Sequence, residues 1–405
     1  MTTVAPNRSD VPTSDADPFG RDILEDPLPF HRVLRDAGPV VYLIKYEVYS
    51  FGRYEQVHAA LRDWQAFQSA AGVGLSNFRY EKPWRPPSLL LEADPPQHDA
   101  PRRVLQKILA PRALRKLQDT WAADAEELVD QVLAEHGTEF DAVEQIAQAF
   151  PLRVFPDAVG IPKEGRENLL PYGDHLFNAF GPPNALVAKG NARAGELAAW
   201  TNAQCAREVL TPVGFGADIW AAADRGDITT EQAPLIVRSL LSAGVDTTVH
   251  GVSAVLNAFA ANPEQWRRLR EDPGLSRVAF DEAVRWESPV QTFFRTTTQD
   301  VAIGGQIIPD GQKILMFLGS ANRDPRRWGP DADDFNLHRD PSGHVGFGMG
   351  IHQCVGQHVA RLEASCVLAA LARRVVQIEP AGPSRRHHNN TLRAWESIPV
   401  RVKLA

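Results

Sequence analysis

Phe347-Gly348-Met349-Gly350-Ile351-His352-Gln353-Cys354-Val355-Gly356 is the stretch on which the reading of this 405-residue chain turns. Glycines at 346, 348 and 350 let a loop turn tightly and bring its backbone close to a flat ligand. Helical spacing from about Val355 to Val375 places Cys354 at the start of a long helix. There, unpaired amides and the positive end of the helix dipole stabilise a thiolate, the form of cysteine that binds metal. Gly356 removes a side chain where a macrocycle would lie against that helix. A buried, inert cysteine behind a glycine-rich loop is the plainer alternative, and a lone Cys does not decide between them.

Outward from this loop the chain reads as mainly α, with a minor antiparallel β-sheet. A loop rich in Asp, Pro and Arg runs from Arg323 to Gly343, and a strand-rich segment precedes it from Phe293 to Phe317. Pro273 to Trp286 has helical spacing. Pro234 to Asn262 is one long apolar helix candidate, opening on a proline suited to a first turn. Pro-Gly clusters at Gly181-Pro182-Pro183 and Pro212-Val213-Gly214 break the middle of the chain, and helical spacing begins at Arg102. Near the amino end a short helix, Phe30 to Arg35, precedes two paired strands, Val40 to Leu43 and Val48 to Phe51. Residues 1–20, polar and rich in Asp, Pro, Ser and Thr, are expected to form a flexible tail. No repeat or long linker divides residues 21–405, which are expected to form one large helical domain.

Composition narrows the function classes. A formal net charge of -7 argues against a nucleic-acid partner, because phosphate binding needs clustered positive charge. Only Cys205, Cys354 and Cys366 are present, which is no disulfide framework. The amino terminus lacks the basic start and apolar core of a signal peptide, and no apolar stretch reaches spanning length. No membrane and a cytoplasmic setting are therefore expected.

The quoted stretch resembles the cysteine-ligand signature of cytochromes P-450, Phe-x-x-Gly-x-His/Arg-x-Cys-x-Gly, at every constrained position. The resemblance runs from about Pro27 to the carboxyl end. It implies a helical haem domain carrying haem b (iron protoporphyrin IX) on the Cys354 thiolate, whose electron density favours O–O cleavage. Phe347 and Gly356 would then lie against the haem. His98, Arg102, Arg295 and His352 resemble the propionate-binding set, although Asp99 stands where the family often has Thr. Glu282-Ala283-Val284-Arg285 resembles the family's Glu-x-x-Arg helix, in which a pair three apart locks to itself and to a loop carbonyl. The family adds a third partner that this sequence does not identify. Within the long helix, Asp246 and Thr247 match the acid–alcohol pair that delivers protons during dioxygen reduction, and Thr247 can bend the helix by bonding back to the preceding turn. A polar defect in a buried helix is the plainer reading of that pair.

Four further stretches resemble the bacterial group that oxidises para-substituted benzoic acids. They are Lys82 to Pro96, Phe177 to Asn184, Arg238 to Gly244 and Pro289 to Arg295. The resemblance implies that Ser88 and Ser239 hydrogen-bond a substrate carboxylate and that Arg85 and Arg238 supply charge near it. Leu91, Phe177, Phe180, Ala243, Val290 and Phe293 would wall the ring. A carboxylate leaving water needs donors or positive charge, and anchoring one end of a rigid ring presents the other end to the reacting centre. No flavin or nicotinamide domain fits beside a haem domain in this length. The family therefore implies O2 as co-substrate and electrons from an iron–sulfur ferredoxin with its flavin-dependent reductase. The competing reading is a haem-thiolate binding or sensor protein without turnover; the Asp246-Thr247 pair speaks against it.

Overall fold

Apolar side chains at three- and four-residue spacing make helix the dominant element. The structure, a computed structural model, describes residues 11–405. Its central rod is helix Asp246–Ala261, buried on nearly every side. Helices Ser276–Glu287, Leu169–Asn178 and Gln357–Arg374 pack against it, and Pro111–His136 lies along the last of these. Phe259, Trp266, Phe280 and Val255 belong to the continuous apolar core they share.

The expected single helix from Pro234 to Asn262 is instead two, Gln232–Ala243 and Asp246–Ala261, separated at Gly244-Val245. Two hydroxyls explain the break. Thr247 Oγ1 donates to the Ala243 carbonyl at 2.7 Å and Thr248 Oγ1 to the Gly244 carbonyl at 3.2 Å, drawing carbonyls out of the helical ladder. Glycine is needed at 244, since a Cβ there would meet the Phe155 ring at 2.4 Å. The final helix starts at Gln357 rather than Val355.

The main sheet has six strands in the order Thr13–Ser14, Val41–Leu43, Val48–Phe51, Lys313–Phe317, Thr292–Thr297, Phe67–Gln68. It is mixed rather than antiparallel: Thr13–Ser14 with Val41–Leu43, and Val48–Phe51 with Lys313–Phe317, pair in parallel. Val48–Phe51 and Lys313–Phe317 are buried along their whole length, as central strands covered on both faces are. Part of the expected tail is thereby corrected. Val11 is buried and Thr13–Ser14 holds the sheet edge, while residues 1–10 lie outside the described residues. No helix among the described residues is long and apolar enough to cross a membrane.

Candidate active site

Cys354 stands in the turn between the 3-10 helix Gly350–His352 and helix Gln357–Arg374, three residues ahead of the latter. Its N–H donates to the Phe347 carbonyl at 2.7 Å, closing the loop. Gly348 and Gly350 adopt φ of 65° and 68°, and a Cβ on Gly350 would lie 2.8 Å from the Leu61 carbonyl oxygen. Both positions therefore require glycine. The Cys354 sulfur is accessible, yet surrounding protein pushes its pKa up; the Gly356 N–H, Arg102, Arg361 and the Gln357 N–H pull it back down. A thiol that is both accessible and surrounded by protein lines an internal cleft. Cys205 and Cys366 are buried thiols pushed up to about 12 by burial, which leaves Cys354 as the accessible cysteine. A Cβ on Gly356 would touch nothing closer than that sulfur, at 3.9 Å. Arg361 lies over the Phe347 ring at 4.7 Å and fixes that side chain behind the loop.

Cationic residues gather around the same cleft. His98 is buried, its Nδ1 3.6 Å from Asp99 Oδ1, and neither its ring nitrogens nor Arg102 Nε has a hydrogen-bond partner among the described residues. Arg295 is buried and, among the described residues, donates only to the neighbouring Phe294 carbonyl; burial brings its pKa down to about 10. The rings of His98 and His352 meet edge-on at 4.8 Å. His352 differs from expectation: Nε2 lies 2.9 Å from Asp94 Oδ1 and Nδ1 3.1 Å from the Leu90 carbonyl. Asp94, which also accepts the Ser69 and Ala70 amides, was not visible as a partner in the sequence.

Behind the cysteine loop, Glu282 and Arg285 have fully buried side chains. Arg285 donates to both Glu282 oxygens, at 2.7 and 2.8 Å, and to the carbonyls of Asn322, Ala332 and Asp334. All five guanidinium donors are used. The third partner left open by the sequence is Arg339, whose Nε donates to Glu282 Oε1 at 3.2 Å, beside the Asn336 amide at 3.1 Å.

At the break between the two long helices, Ala243 is exposed and Thr247 half-buried, while Asp246 is buried. Asp246 Oδ1 meets His250 Nε2 at 3.0 Å, and Oδ2 has no hydrogen-bond partner among the described residues. Farther along, Leu91, Phe177, Phe180, Val290 and Phe293 are brought into one apolar cluster. The Phe180 ring is 5.8 Å from Phe177 and 6.0 Å from Phe293. Arg85 lies over Phe180 at 5.9 Å and pairs with Glu92 at 2.9 Å. Burial lowers the Arg85 pKa against the pull of Glu92, and Arg238 lowers it further, so the two cations converge. Arg238 is buried, donates to the Pro86 carbonyl at 3.0 Å, and has no carboxylate partner among the described residues. The serines are less free than expected. Ser88 Oγ accepts the Leu90 and Leu91 amides at 3.3 and 3.1 Å, and Ser239 Oγ donates to the Leu235 carbonyl at 3.0 Å. Ser88 keeps its hydroxyl proton to donate; Ser239 must exchange its helix bond first.

Residues 275–383 match the family model described as Cytochrome P-450. The chain is 56% identical over 402 residues to cytochrome P-450 CYP199A2 of Rhodopseudomonas palustris, covering 99% of this chain and 97% of that one. The chain is a cytochrome P-450. It is also 31% identical, over 96% of its length and 78% of the relative's, to a beta-dihydromenaquinone-9 omega-hydroxylase of Mycobacterium tuberculosis. Among solved structures the P-450 is similar to CYP109Q5 from Chondromyces apiculatus, with a TM-score of 0.80 and 29% identity over 96% of this chain and 99% of that one. It is also similar to cytochrome P-450 CREJ in complex with (4-ethylphenyl) dihydrogen phosphate, with a TM-score of 0.85 and 25% identity over 96% and 99%.

The P-450 is thus a haem-dependent monooxygenase with a cysteine-thiolate ligand. The residues present fit that group: His98, Arg102 and Arg295 carry donors not spent on protein acceptors, as two buried carboxylates would require. Gly356 leaves room beside the sulfur. His352 reaches the same place held by Asp94.

Proposed function

We propose that this P-450, acting as one haem domain, hydroxylates or O-dealkylates small aromatic carboxylic acids, para-substituted benzoates such as 4-methoxybenzoate. Arg238 carries this reading: a buried cation without a carboxylate partner, beside Arg85 and the phenylalanine cluster. A buried charge is costly unless paired, and a substrate carboxylate supplies the missing anion. Glu92 already neutralises Arg85, so Arg238 contributes the net charge and Ser88 a hydroxyl proton. The (4-ethylphenyl) dihydrogen phosphate bound by CREJ is likewise an anionic, para-substituted ring, which supports the same ligand chemistry.

Haem bound on Cys354 supplies activation of O2, drawing electrons from an iron–sulfur ferredoxin and its flavin-dependent reductase in the cytoplasm. Arg238, Arg85 and Ser88 fix one end of the ring. Phe177, Phe180, Phe293, Leu91 and Val290 exclude water and hold its plane, so the para substituent alone is presented for oxidation. Thr247 offers its hydroxyl at the cleft, with Asp246 behind it as proton donor. Oxidation of a methoxy carbon gives a hemiacetal that collapses to the phenol and formaldehyde. Spin-state titration with 4-methoxybenzoic acid and with its methyl ester tests the reading. The acid is expected to bind at least tenfold more tightly, a difference of about 1.4 kcal/mol; equal affinity would remove the carboxylate site.

A further inference from the structure

A second group of titratable side chains lies behind Asp246, on the side away from the cysteine loop. His250, one turn along the same helix, and Asp246 are nearly buried, with 8% and 7% of their side chains accessible. Asp246 Oδ2 and His250 Nδ1 have no hydrogen-bond partner among the described residues. Helix Leu169–Asn178 is pressed against this turn, and a Cβ on Gly173 would lie 2.9 Å from Asp246 Cβ. The next residue, Asp174, places Oδ1 2.7 Å from His387 Nε2 on strand Arg385–His388. Asn389 Nδ2 donates to the same oxygen at 2.7 Å, and Asn178 Nδ2 to Oδ2 at 3.3 Å. This outer pair reaches the surface, with 37% of the His387 and 31% of the Asp174 side chain accessible. His388, its neighbour, is turned to Glu25 at 2.6 Å.

The inner and outer pairs lie on adjoining elements, Asp174 following the Gly173 that is pressed against Asp246. Burial raises the Asp174 pKa, but His387 outweighs it and His250 adds to the lowering. The Asp174 hydrogen bond holds His387 above its ordinary value against burial; Asp246 reinforces this and Lys189, from helix Ala185–Ala203, opposes it.

We propose that His387–Asp174 and His250–Asp246 form the route by which protons travel from solvent to the Thr247 hydroxyl. The route rests on reading Asp246 and Thr247 as the acid–alcohol pair. A proton passing from the Asp246 carboxyl to Thr247 is replaced from His250 Nε2, and His250 takes up another at Nδ1. That proton comes from His387 by way of Asp174, and His387 is reprotonated by water or buffer. No electron is exchanged along the route. Imidazoles suit it because they take up and release protons near neutral pH.

The test uses 15N-histidine NMR of the haem-loaded protein in its diamagnetic ferrous carbon-monoxide form. His387 is expected to titrate above about 6.5, the ordinary histidine value. Asp174→Asn should lower that midpoint by about one unit or more, and Asp246→Asn should lower the His387 midpoint as well. In turnover, His387→Gln should raise the solvent deuterium isotope effect on product formation and change its pH profile, with substrate affinity unchanged. A His387 midpoint indifferent to Asp246→Asn, or a wild-type isotope effect and pH profile in His387→Gln, overturns the route. Should Thr247→Ala waste electrons as peroxide while His387→Gln behaves as wild type, the route alone fails. Unchanged coupling in Thr247→Ala overturns the acid–alcohol reading, and the route with it.

Discussion

Two regions of the site use hydrogen bonds in opposite ways. In the network behind the cysteine loop every Arg285 donor is spent: Arg285 makes five bonds, and Glu282 takes Arg285, Arg339 and the Asn336 amide. Around the cleft itself, Asp246 Oδ2, the His98 nitrogens and Arg102 Nε have no hydrogen-bond partner among the described residues, and Arg238 has no carboxylate there. A fully satisfied buried network rigidifies what it supports, whereas unspent donors are kept for a ligand or a moving proton. The Glu282–Arg285 network holds geometry, and the groups around the cleft do the chemistry.

Substitutions should therefore fail differently in the two regions. Arg285→Ala leaves the buried Glu282 carboxylate with Arg339 and the Asn336 amide alone and frees three buried carbonyls, and should cost about 3–5 kcal/mol of stability, seen as a lower urea midpoint and poor haem retention. A stable, haem-replete Arg285→Ala protein would erase the distinction. Arg238→Gln should leave the urea midpoint within about 1 kcal/mol while weakening 4-methoxybenzoate binding about tenfold or more, equivalent to one charge-assisted hydrogen bond. Thr247→Ala should bind substrate as wild type and fold normally, yet divert several-fold more electrons to hydrogen peroxide; a peroxide assay against NADH consumed checks it.

The smallest expected effect lies in pH. Buried His344 accepts the Gly346 amide at 3.1 Å, and burial, with Arg361 and Arg285 nearby, pushes its pKa down to about 3. The unfolded chain takes up this proton near 6.5 and the folded one does not. Stability is thus lost as pH falls below 6.5 toward about 3. His344→Gln should narrow the gap between melting temperatures at about pH 7 and 5, while His98→Gln, beside the cleft, should leave it larger than His344→Gln does.

Local spacing made some of this site legible. The Phe347–Gly356 loop, the Glu282–Arg285 pair at i,i+3 and the Thr247 back-bond depend on neighbours a few residues away, and the structure contains each of these contacts. The Asp246–His250 contact, at i,i+4, was open to the same reasoning and was missed. Spacing did not show that Gly244 and Val245 interrupt the long helix, because a threonine hydroxyl bonding back is also compatible with an unbroken one.

By itself the amino-acid sequence determined the helical class, the loop carrying Cys354 and which residues could be cationic, because these follow from short-range patterns of size, charge and glycine. Tertiary structure alone decided the partners. Arg339 reaches Glu282, Asp94 reaches His352, Glu92 cancels Arg85, and His387 meets Asp174 from 213 residues away. Such pairings depend on where folded elements come to rest, since a buried charge takes whichever counter-charge the packing brings within reach.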